Sequence, residues 1–191
     1  MKEFGEVGRF AQTLLKYCWQ RATEQRDVAQ YPNPVFLWAD EAHFFVTSHD
    51  AEFQSTARSA RAATVYLTQN LSNYYAAVGG DPTGRAKVDS LLGNLQTKIF
   101  HANGDAVTNL WGAELISKTW QRRQTLSFQE TTRAGMSSSD SLEFQLQPIS
   151  FTRLAKGGPE NDFAVDAVVF QAGRQWQGTD RNYLEHAFKQ H

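Results

Sequence analysis

Apolar residues fall into two rhythms along this chain. From residue 4 to 27, Val7, Phe10, Leu14 and Cys18 recur at helical spacing with Trp19 beside them, so the segment reads as one amphipathic helix. Arg9, Lys16, Arg21, Glu24 and Arg26 are then expected to face water. Tyr31-Pro32-Asn33-Pro34 breaks the helix, because a residue before proline is pushed toward extended geometry. Val35 to Ala39 follows as a short continuous apolar run, the pattern of a strand buried on both faces.

Downstream the two rhythms alternate. Ser48 or Asp50 caps an expected helix to about residue 60, and Thr64-Val65-Tyr66-Leu67 reads as a second buried strand. Asn70 caps another helix, a glycine and proline loop spans 79 to 84 before a further helix, and Thr97-Lys98-Ile99-Phe100 reads as a third strand. Asn103 or Asp105 starts a helix with Val107, Leu110, Trp111 and Leu115 on one face. Strand-helix alternation predicts an α/β fold with a mostly parallel sheet, helices on both faces, and the strands near 35, 64 and 97 side by side. Beyond about residue 120 the pattern becomes strand-rich, with a Ser- and Thr-rich loop at 129 to 141 and strands near 142 to 147, 163 to 170 and 182 to 188.

Composition adds bounds. With 191 residues, 41% hydrophobic and 13% aromatic, the chain can bury a sizeable core as one globular domain. A net charge of -1 supplies no bulk attraction to nucleic acid. Cys18 is the single cysteine, so no intrachain disulfide forms, and a cytoplasmic location is the default. No apolar run approaches the roughly 20 residues of a membrane helix. The five histidines include no i, i+4 pair and have no cysteine partner, so no zinc site is expected.

The candidate chemistry sits where the first apolar run ends, at Asp40-Glu41. Open α/β sheets bind ligands at the carboxyl ends of their strands. There Asp40 would hold Mg²⁺ directly or through water, and Glu41 would orient or deprotonate the water attacking a γ-phosphate. The pair alone also fits a strand that simply ends in exposed acids. Gln69 ends the next strand, 29 residues after Asp40, where RecA-like ATPases place a polar residue that senses the γ-phosphate. Taken singly, it also fits a surface glutamine.

Three features together resemble the type IV coupling protein ATPases, the TraG/TraD group of hexameric motors in the FtsK/HerA branch. They are the run ending in Asp40-Glu41, Arg58 eleven residues before Gln69, and Leu91-Leu92-Gly93-Asn94-Leu95-Gln96-Thr97-Lys98-Ile99-Phe100. The Gly-Asn-Leu-Gln-Thr-Lys-Ile-Phe string followed by a helix is the most specific, and the likeness covers about residues 1 to 118. It implies a partial RecA-like P-loop NTPase sheet: residues 1 to 120 would be the carboxyl half of the nucleotide-hydrolase core and 121 to 191 a strand-rich extension of the same domain. It also implies ATP and Mg²⁺ as cofactors, with Asp40 and Gln69 binding nucleotide, Asp40 holding the metal, Glu41 handling water, and Arg58 reaching a neighbouring subunit's site as an arginine finger. Arg61 is the second candidate for that finger, and a solvated helix-face arginine the plain alternative. The partners implied are single- or double-stranded DNA, relaxosome proteins, secretion-channel proteins and further copies in a homo-hexamer, at the cytoplasmic face of the inner membrane.

The chain departs from that family at one point that matters. No Gly-x-x-x-x-Gly-Lys-Ser/Thr string precedes Asp40, and the nearest, Gly79 to Ala86, has Arg85 and Ala86 in place of the lysine and hydroxyl and reads as a turn. A fragment of a longer motor is therefore expected, with an inactive remnant or a docking module for secretion or relaxosome proteins as the alternative. Asp40-Glu41-Ala42-His43 also spells a DEAH helicase box. That family places Ser-Ala-Thr after a neighbouring strand, where this chain has Thr68-Gln69-Asn70, so His43 is expected to pack or hydrogen-bond beside Glu41.

Overall fold

The computed structural model describes residues 5–128 and 134–190. The chain divides into two compact units, Met1–Thr97 and Lys98–His191, and the change to strand-rich sequence near residue 120 falls inside the second.

The first unit holds helix α1 (Gly5–Glu24), strand β1 (Val35–Ala39), a 3-10 turn (Ala42–Phe45), α2 (Ser48–Thr56), β2 (Ala62–Tyr66), α3 (Leu71–Ala77) and α4 (Pro82–Asn94). β1 and β2 pair in parallel, Val35 opposite Ala62 through Ala39 opposite Tyr66. The Asn70 side chain caps α3 as expected, accepting from the Asn73 N-H, and Asp81 caps α4 through the Gly84 N-H; the N-cap of α2 is Thr47, with Asp50 three residues on, not Ser48 or Asp50. Gly79 and Gly80 take positive φ before Asp81 and form a turn, as expected, but residues 82 to 86 of the expected turn already belong to α4. Phe53, Tyr74, Val88 and Leu91, all at most 2% exposed, form the apolar centre of this unit.

Two expectations fail in this unit. β1 is not buried on both faces. Leu37 and Ala39 lie opposite Thr64 and Tyr66, which bond α2 through Gln54 and Asp50, whereas Phe36 and Trp38 on the other face are 56% and 68% exposed. α1 is turned around: its apolar stripe of Val7, Phe10, Leu14 and Cys18 faces solvent, and it buries Lys16, Gln20 and Thr23 instead. The cause is Asp50. Its carboxylate is fully buried and receives the Lys16 ammonium, Gln20 Nε2 at 2.7 Å and the Tyr66 hydroxyl at 2.9 Å. A buried charge has to be paired and hydrogen-bonded, and that requirement overrides the apolar periodicity.

The second unit begins with β3 (Thr97–Phe100) and continues with α5 (Ala106–Ile116), β4 (Lys118–Phe128), β5 (Ala134–Phe144), α6 (Pro148–Thr152), β6 (Ala164–Gln171) and β7 (Tyr183–Lys189). Asp105 caps α5 through the Thr108 N-H at 3.0 Å. The mixed α/β class is as expected: β1 and β2 pair in parallel, whereas β4 with β5 and β6 with β7 are antiparallel. β3 does not extend the β1–β2 pair; it is hydrogen-bonded to β6 in a sheet ordered β3-β6-β7. A four-residue strand does not encode its pairing partner, and β3 takes the strand that carries its Phe100 into the same core as Val168 and Phe170. Residues 134–141, expected as loop, belong to β5, which pairs with β4; the rest of that expected loop, 129–133, lies outside the described residues. α5 also corrects the expected face, burying Thr108, Asn109, Gly112, Ala113 and Ile116 while Val107 and Leu110 are exposed. A Cβ at Gly112 would sit 2.9 Å from the Phe151 ring, so the helix closes on the core only with glycine there.

Candidate functional site at the carboxyl ends of β1 and β2

The parallel register puts Asp40 and the segment 67 to 69 at one end of the strand pair. Backbone bonds extend that pairing past the strands: the Leu67 N-H donates to the Ala39 carbonyl at 2.9 Å, and the Ala42 N-H to the Leu67 carbonyl at 3.0 Å. Between these two bonds the chain turns sharply. Asp40 is exposed, and its Oδ1 accepts the Glu41 N-H at 3.0 Å. Glu41 takes φ 50 and ψ 44, a left-handed conformation that costs a non-glycine residue on the order of 1–3 kcal/mol and persists only where its surroundings hold it.

Those surroundings are specific. Gln69 Nε2 donates to Glu41 Oε1 at 2.7 Å. Glu41 Oε2 is buried without a hydrogen-bond donor, with His43 Nδ1 3.4 Å away. His43 is itself buried, 3.2 Å from Thr68 Oγ1 and packed beside Tyr74, which is the hydrogen-bonding and packing role expected for it. Below the turn, Lys16 Nζ donates to the Phe45 carbonyl at 2.6 Å as well as to Asp50, and Asp50 accepts the Thr47 N-H at 2.6 Å. The ion pair therefore fastens the far end of the segment that follows Glu41, at Phe45 and Thr47. Burial pulls the Lys16 ammonium below its ordinary pKa, against the Asp50 carboxylate that holds it up.

An open pocket of about 480 Å³ lies on this turn, lined by Arg9, Glu41, His43, Gln69 and Asn73. A ligand pocket of this size has room for a phosphate group with its metal and water. Mg²⁺ prefers one or two carboxylates plus phosphate oxygens and water, so the exposed Asp40 beside the half-satisfied Glu41 suits it. The backbone amides that cradle phosphates in a phosphate loop have no counterpart in the sequence.

Thus the structure brings Glu41 and Gln69 together in one pocket, and Asp40 adjoins Glu41 in the turn without lining that pocket. Arg58 is elsewhere: it lies past the end of α2, in the turn before β2, so it is not on the helix as expected. It sits beyond the amino end of a strand whose carboxyl end leads to Gln69, about 15 Å away at the rise of an extended chain. Its side chain is exposed and makes no hydrogen bond or ion pair among the described residues. Arg61, by contrast, donates to the Pro32 carbonyl at 2.6 Å. Sequence reasoning missed Arg9 and the Lys16–Asp50 pair. It placed Lys16 on the solvent face, and only the helical face it shares with Gln20 and Thr23 could have hinted otherwise; Arg9 is exposed, as expected.

No protein-family model matches this chain, and no curated protein matches it. Among solved structures, the bacterial conjugative coupling protein TrwBΔN70 in its unbound monoclinic form is similar over 99% of this chain, with a TM-score of 0.71 and 13% sequence identity. The chain spans 39% of that chain's length. At this identity the likeness establishes the fold, and it bears out the expected RecA-like α/β class. Among the described residues no helix is long and apolar enough to cross a membrane.

Proposed function

We propose that this chain forms the acidic half of the nucleotide site in a hexameric, ATP-driven motor that moves DNA, or DNA with attached protein, into a type IV secretion or conjugation apparatus. The observation that carries the reading is the Gln69–Glu41 hydrogen bond of 2.7 Å at the carboxyl end of a parallel strand pair, in a fold shared with a conjugative coupling protein. Asp40 would hold Mg²⁺, which neutralises charge on the transferring phosphoryl group when bound. Glu41 orients and deprotonates the attacking water. Gln69 touches both that carboxylate and the place of the γ-phosphate, so loss of the phosphate reaches β2 through one side chain. Arg58, unpaired and at the other strand end, serves a neighbouring copy's site, where its planar fork suits a phosphoryl group. Relaxosome proteins, secretion-channel proteins and the cytoplasmic face of the inner membrane complete this reading.

A second reading is favoured by a separate observation. The outward stripe of α1 (Val7, Phe10, Leu14) and the β1 pair Phe36 and Trp38 expose large apolar side chains, as a docking module that has lost catalysis would. Calorimetric titration with Mg²⁺-ATP tests the main reading. Without a phosphate loop the chain should hydrolyse no ATP and bind it more weakly than micromolar; a micromolar dissociation constant contradicts the assignment of the phosphate loop to another segment or polypeptide. In an assembled motor, Arg58→Ala should lower turnover by about 10³, with partial rescue when mixed with Glu41→Gln subunits.

A further inference from the structure

Arg9 is the cation that lines the pocket of Glu41, Gln69 and Asn73, and nothing in the pattern of the chain marked it out. It lies on the face of α1 that also carries Lys16, Gln20 and Thr23, one hundred-degree step after another bringing positions 9, 16, 20 and 23 to one side of the helix, as a period of about 3.6 residues requires. Lys16 and Gln20 are tied to Asp50, and Lys16 also to the Phe45 carbonyl, so this face of α1 is registered against the turn that follows Glu41. Arg9 stands two turns earlier, about 10 Å along the helix axis from Lys16. Its guanidinium makes no hydrogen bond and no ion pair among the described residues, although the Glu41 carboxylate lines the same pocket. The one hydrogen bond of the residue is through its backbone, whose carbonyl accepts from Thr13 Oγ1 at 2.9 Å. A cation and a carboxylate thus share the walls of one pocket without closing on each other.

From this placement we infer that Arg9 is a phosphate-binding residue: its guanidinium holds the terminal phosphoryl oxygens of a Mg²⁺-bound nucleoside triphosphate from the side of α1, facing Glu41 and Gln69. The assignment rests on reading this pocket as the nucleotide site. A planar guanidinium gives two parallel hydrogen bonds to phosphate, which a point charge does not. The Asp50 network turns the face of Lys16, Gln20 and Thr23 inward, and Arg9, itself exposed, stands at the end of that face. That orientation carries Arg9 over the pocket, at the cost of leaving Phe10 and Leu14 in water.

The test uses the whole chain with Mg²⁺-ATP as the probe and the Gln69 side-chain amide as the reporter in nitrogen-edited NMR spectra. The amide of the unaltered chain should shift and saturate in the millimolar range. Arg9→Gln should weaken binding by about tenfold or more, the effect of removing a charged hydrogen-bond donor, and Arg9→Lys should restore part of it. Arg21→Gln, which removes the same charge from an exposed position of α1 paired with Glu24, should leave the affinity unchanged. If Arg9→Gln binds as the unaltered chain does while Gln69 still responds in both, Arg9 is a surface arginine and the nucleotide site stands. Equal weakening by Arg9→Gln and Arg21→Gln reduces the effect to bulk charge and also overturns the assignment. If Gln69 never responds in the unaltered chain, the nucleotide site and Arg9's place in it both fall.

Discussion

The two units of this protein differ in what they bury: the first adds a charged network to its apolar centre of Phe53, Tyr74, Val88 and Leu91. The second encloses an apolar cluster of Phe100, Ala113, Ile116, Leu146, Phe151, Val168, Phe170 and Tyr183, with Phe100 set edge-on to Phe151 and to Trp111. The first buries a charged network, Lys16 and Asp50 with Gln20 and Tyr66, and exposes the apolar stripe of its longest helix. Apolar packing is forgiving, because volume and shape can be met in several ways. A buried ion pair is not: each partner admits one geometry, and its worth is conformational definition more than net stability. The unit with the forgiving core carries none of the candidate site residues, whereas the exacting network lies directly under the Glu41 turn. Geometry at that turn is what the polar network secures.

The comparison can be broken first at Asp50. Asp50→Asn keeps the shape and removes the charge, leaving Lys16 buried without a counter-ion, and should cost the first unit about 3–5 kcal/mol. Urea unfolding followed at Trp19, which packs edge-on to Phe53, would read it. A loss below about 1 kcal/mol, the scale of a surface pair, would show that the network is not truly buried. In the second unit the matched change, Ile116→Val, should cost about 1 kcal/mol, since it removes one methylene from a fully buried side chain.

A pH difference sharpens the contrast. Burial, with Asp50 second, raises the Tyr66 and Tyr74 hydroxyls above their ordinary values, and burial with the bond to Asp89 pushes Tyr75 up to about 12. Unfolded tyrosines lose their protons near pH 10, while these folded ones keep them, so the unfolded chain binds fewer protons and stability falls as pH rises above about 10. Lys16 has the opposite sign. Its lowered pKa lets stability rise with pH between its folded value and that of an unfolded lysine, partly offsetting the onset. The second unit has Tyr183 as its counterpart, also raised by burial. Hydrogen exchange at high pH should therefore show the first unit loosening more, and Tyr66→Phe should flatten its dependence.

The smallest effect expected is on the exposed apolar residues. Phe36→Ser and Leu15→Gln should change stability by no more than about 0.5 kcal/mol, as exposed positions do. A loss of 2 kcal/mol or more would mean that these side chains are covered in solution, and analytical ultracentrifugation would then find self-association.

Much of this was legible in the sequence where local physics decides. Pro32 and Pro34 set off β1, Asn70 and Asp105 capped their helices, and the Asp40-Glu41 ending of an apolar run indicated a site that the strand register then completed with Gln69. What stayed hidden depends on partners far away in sequence. The inversion of α1 needs Asp50, 34 residues from Lys16, and β3 needs β6. Periodicity can mark which positions of a helix share a face. It cannot tell which face meets a buried carboxylate, so Lys16 looked like solvent-facing charge.

The central claim is that Asp40, Glu41 and Gln69 form a metal-nucleotide site at the carboxyl ends of β1 and β2. Paramagnetic broadening by Mn²⁺, in place of Mg²⁺, with ATP tests it most directly. The account predicts loss of amide signals centred on Asp40, Glu41 and Gln69, abolished by Asp40→Asn. Broadening centred on another part of the chain, or broadening that survives Asp40→Asn unchanged, would contradict it.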